Sequence, residues 1–346
     1  MSEPFVSARP RFKVNGTERA DLGESTLALT VHLPLSGMAA AELRLLNWGP
    51  GPNGQPDFRY QDIAPGGSLE IALGEDATAP IFKGDITAIE ERYGDGAPQT
   101  VLLAEDALHK LARVRKSRVF EAMSLTDVVS QVVADTGLSA DAQVSSAAAD
   151  WLQINESDLA FLLRQLQPLD VALRLQGGTV RAKDEEVDPS PLQLDPGRNA
   201  LRIRIIADLN RQPKEVAVAG HDLKAGSDSS GSASSLTPSP AGSTARSLLT
   251  QKGWEGDSTV PHPFARSQTE AQTLAERQYR QAAKRFLHGE IVCRDAYSLT
   301  AGREVELTGV SPRLAGRYRV VSCRHVFDQN QGLSTHLKVE RPDWTT

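Results

Sequence analysis

The first third of the chain alternates hydrophobic with polar or small residues in three short stretches, residues 27–33, 69–73 and 82–90. A period of two residues is typical of strands that bury one face. Segment 48–56 contains three glycines and three prolines, so we expect a long loop there. This alternation of short strands and turns predicts a β-barrel or a β-sandwich.

The hydrophobic period changes to a helical one beyond about residue 104. Ser124, with an acidic residue three positions later, resembles a capping box and precedes apolar residues at helical spacing. A second helix is predicted after Ser157 and ends at Pro168. Alternating residues on both sides of Gly177-Gly178 then predict a hairpin. The middle segment is therefore expected to be an α+β unit of two helices and a hairpin.

The last third returns to strand-like alternation at residues 201–205 and 215–219, with further strands between 290 and 339. Between them, residues 226–244 are rich in Ser, Gly, Ala and Pro, which predicts a flexible loop. A third helix is expected from Ser267, because Glu270 completes its capping box. Two β units thus flank an α+β unit, and the second β unit carries a helical insertion.

Composition excludes several classes of protein. The 346 residues include 38 Lys and Arg against 44 Asp and Glu, a net charge of −6, whereas a dedicated nucleic-acid binder normally has a basic face and a high pI. We expect no direct nucleic-acid contact. The chain has no stretch of about 18 uncharged apolar residues and no signal-peptide core at its start. We therefore expect synthesis in the cytoplasm and no insertion into a membrane.

The sequence lacks the common catalytic and nucleotide-binding motifs: Walker A, Gly-x-Ser-x-Gly, His-Glu-x-x-His and Cys-x-x-Cys. We therefore expect no cofactor. Cys293, Cys323 and His325, with His288 as a fourth ligand, are the best metal candidates. Buried free cysteines and a hydrogen-bonded histidine explain the same residues, so we expect no metal, with a metal site or a catalytic cysteine as alternatives.

Four groups of neighbouring carboxylates could in principle support glycosidase chemistry. Solvated surface, helix capping and subunit salt bridges are the favoured interpretation, because a chain with 44 acidic residues offers such pairs by chance. The groups are Glu90 with Glu91, Glu105 with Asp106, Glu156 with Asp158, and residues 184–188.

A basic run without acidic residues follows His109. Nucleic-acid contact would use such a run, but aromatic residues are absent from it and the chain is acidic, which favours a solvated or subunit-facing surface. The same reasoning applies to Arg277, Arg280 and Lys284 on the third helix. The possible subunit-interface residues of the basic run are Lys110, Arg113, Arg115, Lys116 and Arg118.

Several weak motifs, in collinear order over nearly the whole chain, resemble the late control D family of phage tail proteins. That family is similar to the hub region of type VI secretion VgrG spike proteins and to the baseplate hub of contractile tails. The motifs lie in residues 82–90, 104–111, 124–137, 155–162, 177–178, 316–325, 332 and 341–342.

The resemblance implies a mixed, mainly β fold with two tube-like β-barrel domains flanking an α+β domain and a helical insertion in the second barrel. The expected boundaries are 1–105 for the first barrel, 106–190 for the α+β domain, 191–225 and 289–346 for the second barrel, and 226–288 for a flexible loop plus helix insertion. This sequence contains neither the fused spike that some hub proteins of this kind carry nor a lysozyme-like insertion.

The function implied is that of a non-enzymatic hub, a homotrimeric adaptor that joins a sixfold inner tube to a threefold spike. Its expected partners are the inner tube protein, a separate spike protein and other baseplate proteins, all incorporated into a tail or injection particle. The alternative from another class is a β-rich carbohydrate-active hydrolase of the cell wall that uses one of the acidic pairs.

Overall fold

The computed structural model describes residues 9–50, 54–74, 79–94, 96–184, 186–223 and 225–345. Part of the expected 48–56 loop and Glu185 of the acidic run lie outside the described residues. Among the helices described, none is long and apolar enough to cross a lipid bilayer.

The first third is built mainly from antiparallel strands, and the three predicted stretches of alternation all form strands. A short helix, α1, was not predicted. The elements are β1 Arg11–Val14, β2 Thr17–Glu18, α1 Ala20–Ser25, β3 Thr26–Pro34, β4 Ala40–Leu46, β5 Gly49–Pro50, β6 Pro56–Asp57, β7 Ser68–Ala72, β8 Phe82–Gly94 and β9 Gly96–Glu105.

The middle unit contains the two predicted helices and the predicted hairpin. Both helix starts are capped as expected: the hydroxyl of Ser124 accepts from the Asp127 amide, and that of Ser157 from the Ala160 amide. The sequence did not predict the strand pair β10 and β12. The elements are α2 His109–Ala112, β10 Arg115–Met123, α3 Leu125–Ala134, β11 Ser139–Gln143, β12 Ala149–Ser157, α4 Asp158–Leu166, β13 Ala172–Gln176, β14 Thr179–Lys183 and β15 Leu192–Leu194.

The last third contains the predicted strands and the third predicted helix, whose cap is the hydroxyl of Ser267 accepting from the Glu270 amide. Its elements are β16 Ala200–Ala207, β17 Glu215–Asp222, β18 Ser227–Ala233, β19 Ser243–Thr244, α5 Ala245–Lys252, β20 Asp257–Ala265, α6 Gln268–Ala283, β21 Leu287–Cys293, β22 Glu304–Leu307, β23 Gly316–Asp328, β24 Gly332–Arg341 and β25 Asp343–Trp344.

The expectation of a flexible loop over 226–244 is wrong for Ser227–Ala233, which forms strand β18 against β17. Its small residues serve close packing: a Cβ on Gly231 would lie 2.4 Å from the amide nitrogen of Gln272 on α6. The amide side chains of Gln268 and Gln272 also bond the free backbone edge of β18 at Ser230 and Ser232. Helix α6 therefore replaces a neighbouring strand.

Most strands expected for the two barrels join in one continuous, mainly antiparallel sheet. Its order includes β16-β21-β24-β23-β3-β4-β9-β8. The two halves of the chain meet where β23 pairs with β3, from Ser322 opposite Pro34 to Asp328 opposite Ala28. The prediction that residues 191–225 belong to the second barrel is wrong for β17, which forms a separate sheet with β18 and β20. The prediction of a mainly β fold is confirmed, and the division into two separate barrels stays a prediction.

Three hydrophobic clusters organise the chain. One lies under the first half of the sheet, around Leu29, Leu43 and Leu102, and a second under the other half, around Ile291 and Val320. The third joins residues 108–182 with residues 216–283. The insertion therefore packs with the middle unit rather than decorating the second β unit alone.

Candidate functional site

The eight-strand run ends in two open strand edges. On one side, β16 pairs with β21, and no strand in the described part of the chain pairs with its other edge. On the other side, β7 pairs with β8 only between Phe82 and Asp85. Ile86 still bonds the backbone of Gly66 and Gly67 on that side. Within the described residues, the outward edge of β8 is therefore unpaired from Thr87 to Gly94, although β8 continues to pair with β9.

These two open edges run in opposite directions. All seven pairings between neighbouring strands from β16 to β8 are antiparallel. An even number of alternating strands leaves β16 antiparallel to β8. Strand β16 of one copy can therefore extend the sheet at β8 of a second copy with unchanged antiparallel geometry.

The side chains on the two edges are also complementary. Ile203 and Ile205 of β16 are only partly buried against the hydrophobic core under the second half of the sheet. Ile89 of β8 is likewise only partly buried against the core under the first half. On the opposite face of the sheet, Arg204 and Glu90 are both exposed. An edge-to-edge contact would place apolar residues together on one face and opposite charges on the other.

The basic run that sequence analysis selected does not act as one surface. Lys116 and Arg118 point inward to Asp158, whose side chain is only 3% exposed, with N–O distances of 2.6 and 2.8 Å. Arg118 also contacts Asp135 at 2.7 Å, and Gln153 completes the cluster by donating to Asp158. These two cations hold β10 against the start of α4.

The remaining residues of the run face outward. Arg115 donates to the backbone carbonyl of Asn155, and Lys110 and Arg113 are exposed. Only these three residues of the basic run remain available for contact with another subunit, because the charges of Lys116 and Arg118 are neutralised within the chain.

The cationic stripe on α6 is an internal clamp rather than a solvated or subunit-facing surface. Arg280 and Lys284 each contact Asp170 at 2.6 Å, and Arg277 and Arg280 contact Asp184 at 2.7 and 2.9 Å. The stripe therefore joins the insertion to the middle unit across their shared core. Sequence spacing identified the stripe, but it could not identify acidic partners about 100 residues away.

Each acidic group considered for hydrolysis includes carboxylates that contact other partners within the chain. Burial raises the pKa of Asp106 to about 6, although the Ala39 and Leu108 amides donate to it. The other contacts are Glu90 with Arg92, Glu91 with Asn47 and Thr100, Glu156 with Arg164, Asp158 with Lys116 and Arg118, Asp184 with Arg277 and Arg280, and Asp188 with Arg303.

Cys293, Cys323 and His325 are free of solvent and lie in the second half's core. His325 has its Nε2 3.0 Å from the Leu299 carbonyl, which can only accept, so Nε2 carries the proton and Nδ1 accepts from the Thr335 hydroxyl at 3.0 Å. Among the described residues no group of three or more His, Cys, Asp or Glu side chains has a metal-binding arrangement. Burial raises the pKa of Cys293 to about 12, which disfavours its thiolate.

Burial lowers the pKa of His325 from 6.5 to about 4, so the folded protein should lose stability as the pH falls. In that range the unfolded chain binds a proton that the folded chain excludes, which reduces the free energy of unfolding by up to about 3 kcal/mol between pH 6.5 and 4. Urea unfolding of the wild type and of His325→Gln at several pH values measures this term.

The comparison with His325→Gln isolates the histidine. Asp106 contributes the opposite slope, because its pKa is raised in the folded state, but it contributes equally to both proteins. We expect the free energy of unfolding of the wild type, relative to that of the variant, to decrease as the pH is lowered. Parallel pH profiles for the two proteins would contradict a neutral buried His325.

The profile described as the Alg8 N-terminal domain matches residues 11–329, which is most of the chain. The chain belongs to the Alg8 N-terminal domain family. A comparison with curated proteins finds no match.

Several solved structures resemble this member of the Alg8 N-terminal domain family over nearly its full length. The 43 kDa tail protein of prophage MuSo2 from Shewanella oneidensis is 13% identical, with a TM-score of 0.73, and the match covers 97% of this chain and 99% of that one. A tail protein from Neisseria meningitidis MC58 is 14% identical, with a TM-score of 0.66 and 97% coverage of both chains.

A third structure extends the likeness to secretion machinery. It is an Escherichia coli component of the type VI secretion system, described as structurally similar to the T4 bacteriophage tail proteins gp27 and gp5. It is 10% identical, with a TM-score of 0.62, and the match covers 95% of this chain and 76% of that one. The Alg8 N-terminal domain chain therefore has the fold of phage tail proteins and of type VI secretion components.

Proposed function

We propose that this chain is the structural hub of a contractile injection machine, a homotrimeric adaptor between a sixfold inner tube and a threefold spike. The observation that carries the proposal is the run of eight antiparallel strands within the larger sheet, with oppositely directed open edges along β16 and along part of β8. The fold shared with phage tail and type VI secretion proteins supports it. The role is one of assembly, without catalysis or cofactor.

The sheet supplies a physical route from threefold to sixfold symmetry. Each copy contributes two sets of four strands, β16-β21-β24-β23 and β3-β4-β9-β8. Three copies joined edge to edge would form a closed barrel of 24 strands (3 × 8) with six such sets around it, and closure removes every free edge of the run. A sixfold tube ring can stack on that pattern, while a threefold spike matches the three chains.

The partners follow from this geometry. The hub would contact the inner tube protein, a separate spike protein and other baseplate proteins within a tail or injection particle, as the late control D resemblance implies. Lys110, Arg113 and Arg115 are exposed or reach only a backbone carbonyl, so they can contact acidic surface on a neighbouring subunit. Such rim contacts contribute on the order of 0 to 1 kcal/mol each, and the trimer should depend mainly on the strand edges.

Light scattering on the purified chain tests the trimer. We expect a species of about 112 kDa (3 × 37.4 kDa) that forms a ring with a central channel in negative-stain images and persists in moderate salt. A strictly monomeric chain at micromolar concentration, or a ring whose copy number is not a multiple of three, would contradict the proposal.

Ile203→Lys on β16 should convert the trimer to a monomer, because a charge on the apolar side of an open edge opposes strand pairing. Thr17→Lys on β2 is the matched control, since β2 is also an outer strand of the sheet but has only two residues. Thermal unfolding of both variants checks that each chain still folds. Trimers of equal stability in the two variants would exclude β16 from the interface.

A further inference from the structure

The uncovered face of the sheet carries a cluster of cations, of which the proposed subunit contact uses only Arg204 at the open edge. The register aligns Arg202 of β16, His336 of β24, Arg324 of β23 and His32 of β3 in one row across the strands. The adjacent row contains Arg204, Glu290, Lys338 and Ser322. We call Arg202, Arg204, Arg324 and Lys338 the basic face.

The cations of the basic face lack the acidic partners that other cations of the chain have. All four are exposed, and within the described residues none of them makes an ion pair. By contrast, Lys116, Arg280 and Lys284 contact carboxylates at 2.6 Å. Glu290 is the single carboxylate in the second row, so the two rows together keep an excess of positive charge.

The positive charge of the basic face helps to lower the pKa values of the two histidines in the first row. The pKa of His32 is lowered by burial and then by Arg324 and Lys338, and the pKa of His336 by burial and then by Arg324 and Arg202. The positive potential therefore extends over neighbouring strands of the sheet.

Arg204 and Lys338 line one cavity together with Glu290 and Glu340, and small residues lie beside Arg324. Cross-strand neighbours on this face include Ser322, Ser334 and Thr30, all of which are small. With strands about 4.8 Å apart and same-face residues about 7 Å apart, the four cations cover roughly 7 by 14 Å. The described residues of the two rows include no phenyl, phenol or indole ring on which a base could stack.

We propose that the basic face binds the phosphate backbone of duplex nucleic acid without reading its sequence. Four exposed cations without acidic partners, spread over three strands, match the dense and regular negative charge of a duplex backbone. The acidic net charge of the whole chain, which argued against nucleic-acid contact, conceals this local excess. The surface is exposed on a single chain, and in a closed ring it would face the channel, because the chain's own core covers the other face.

Fluorescence anisotropy with a labelled, random-sequence DNA duplex tests the proposal. The test variant combines Arg324→Gln with Lys338→Gln, which lie away from the open β16 edge and leave the trimer contact intact. We expect it to bind at least about tenfold more weakly at low salt and to reduce the slope of log K against log salt by about two. Thermal unfolding and light scattering verify that fold and oligomeric state are unchanged.

The matched control combines Arg198→Gln with Lys252→Gln, two exposed cations outside the basic face, and should bind as the wild type does. Equal weakening by the control and test variants would overturn the proposal, as would the absence of measurable wild-type binding at low salt. Tighter binding of polyglutamate than of the duplex would also overturn it and identify an acidic polypeptide as the partner.

Discussion

Replacing Asp158 with alanine is expected to lower the free energy of unfolding by about 3 to 5 kcal/mol. The Asp158 carboxylate is almost fully buried and holds both Lys116 and Arg118, with Gln153 donating to it as well. Its loss leaves two cations and an amide donor without their shared acceptor. Urea denaturation monitored by circular dichroism measures the change.

Two further variants test whether the shared buried charge causes this loss. Asp158→Asn keeps the shape but not the charge, so most of the loss should remain. Glu156→Ala removes the nearby Glu156–Arg164 pair, in which the Arg164 side chain is 52% exposed, and should cost less than about 1 kcal/mol. Similar losses for Glu156→Ala and Asp158→Ala would show that burial of the ion cluster is not the cause.

Gly289→Ala is expected to destabilise the fold by about 2 to 3 kcal/mol through overpacking and to abolish the trimer. A Cβ at this position of β21 would lie 1.9 Å from the carbonyl oxygen of Arg204 on β16. Strand β16 would have to move away from β21, and with it the open edge on which the proposed ring depends. Thermal unfolding and light scattering report the two effects separately.

Gly178→Ala is the matched control for this substitution. Gly178 has a positive φ of 85°, but no heavy atom lies within 4 Å of the position that an alanine methyl group would take. The cost should therefore be limited to about 1 kcal/mol of backbone strain, and the trimer should be retained. A trimer that survives Gly289→Ala would contradict the assignment of β16 to the interface.

Local patterns predicted most of the elements, because their causes are local. The strand β3 follows from alternation along 27–33, and the starts of α3, α4 and α6 follow from Ser124, Ser157 and Ser267, whose hydroxyls cap amides three positions later. These signals depend on neighbouring residues and can be read from the sequence directly.

The features that the sequence did not predict depend on distant contacts. The small residues of β18 indicated a loop, since the reason for them is the close approach of α6, which lies about 40 residues away. In the same way, the sequence predicted Lys116 and Arg118 as surface cations, because their partner Asp158 lies some 40 residues further along the chain. The basic face of the sheet was missed because its four members come from three strands.

The pairing of β3 with β23 also affects when the sheet can be completed during synthesis. His32 and Ser322, which meet across this junction, are 290 residues apart. At elongation rates of about 5 to 20 residues per second, roughly 15 to 60 s pass between the synthesis of β3 and that of its partner strand β23. During that interval β3 can pair with β4 on one side, while its other edge has no partner strand.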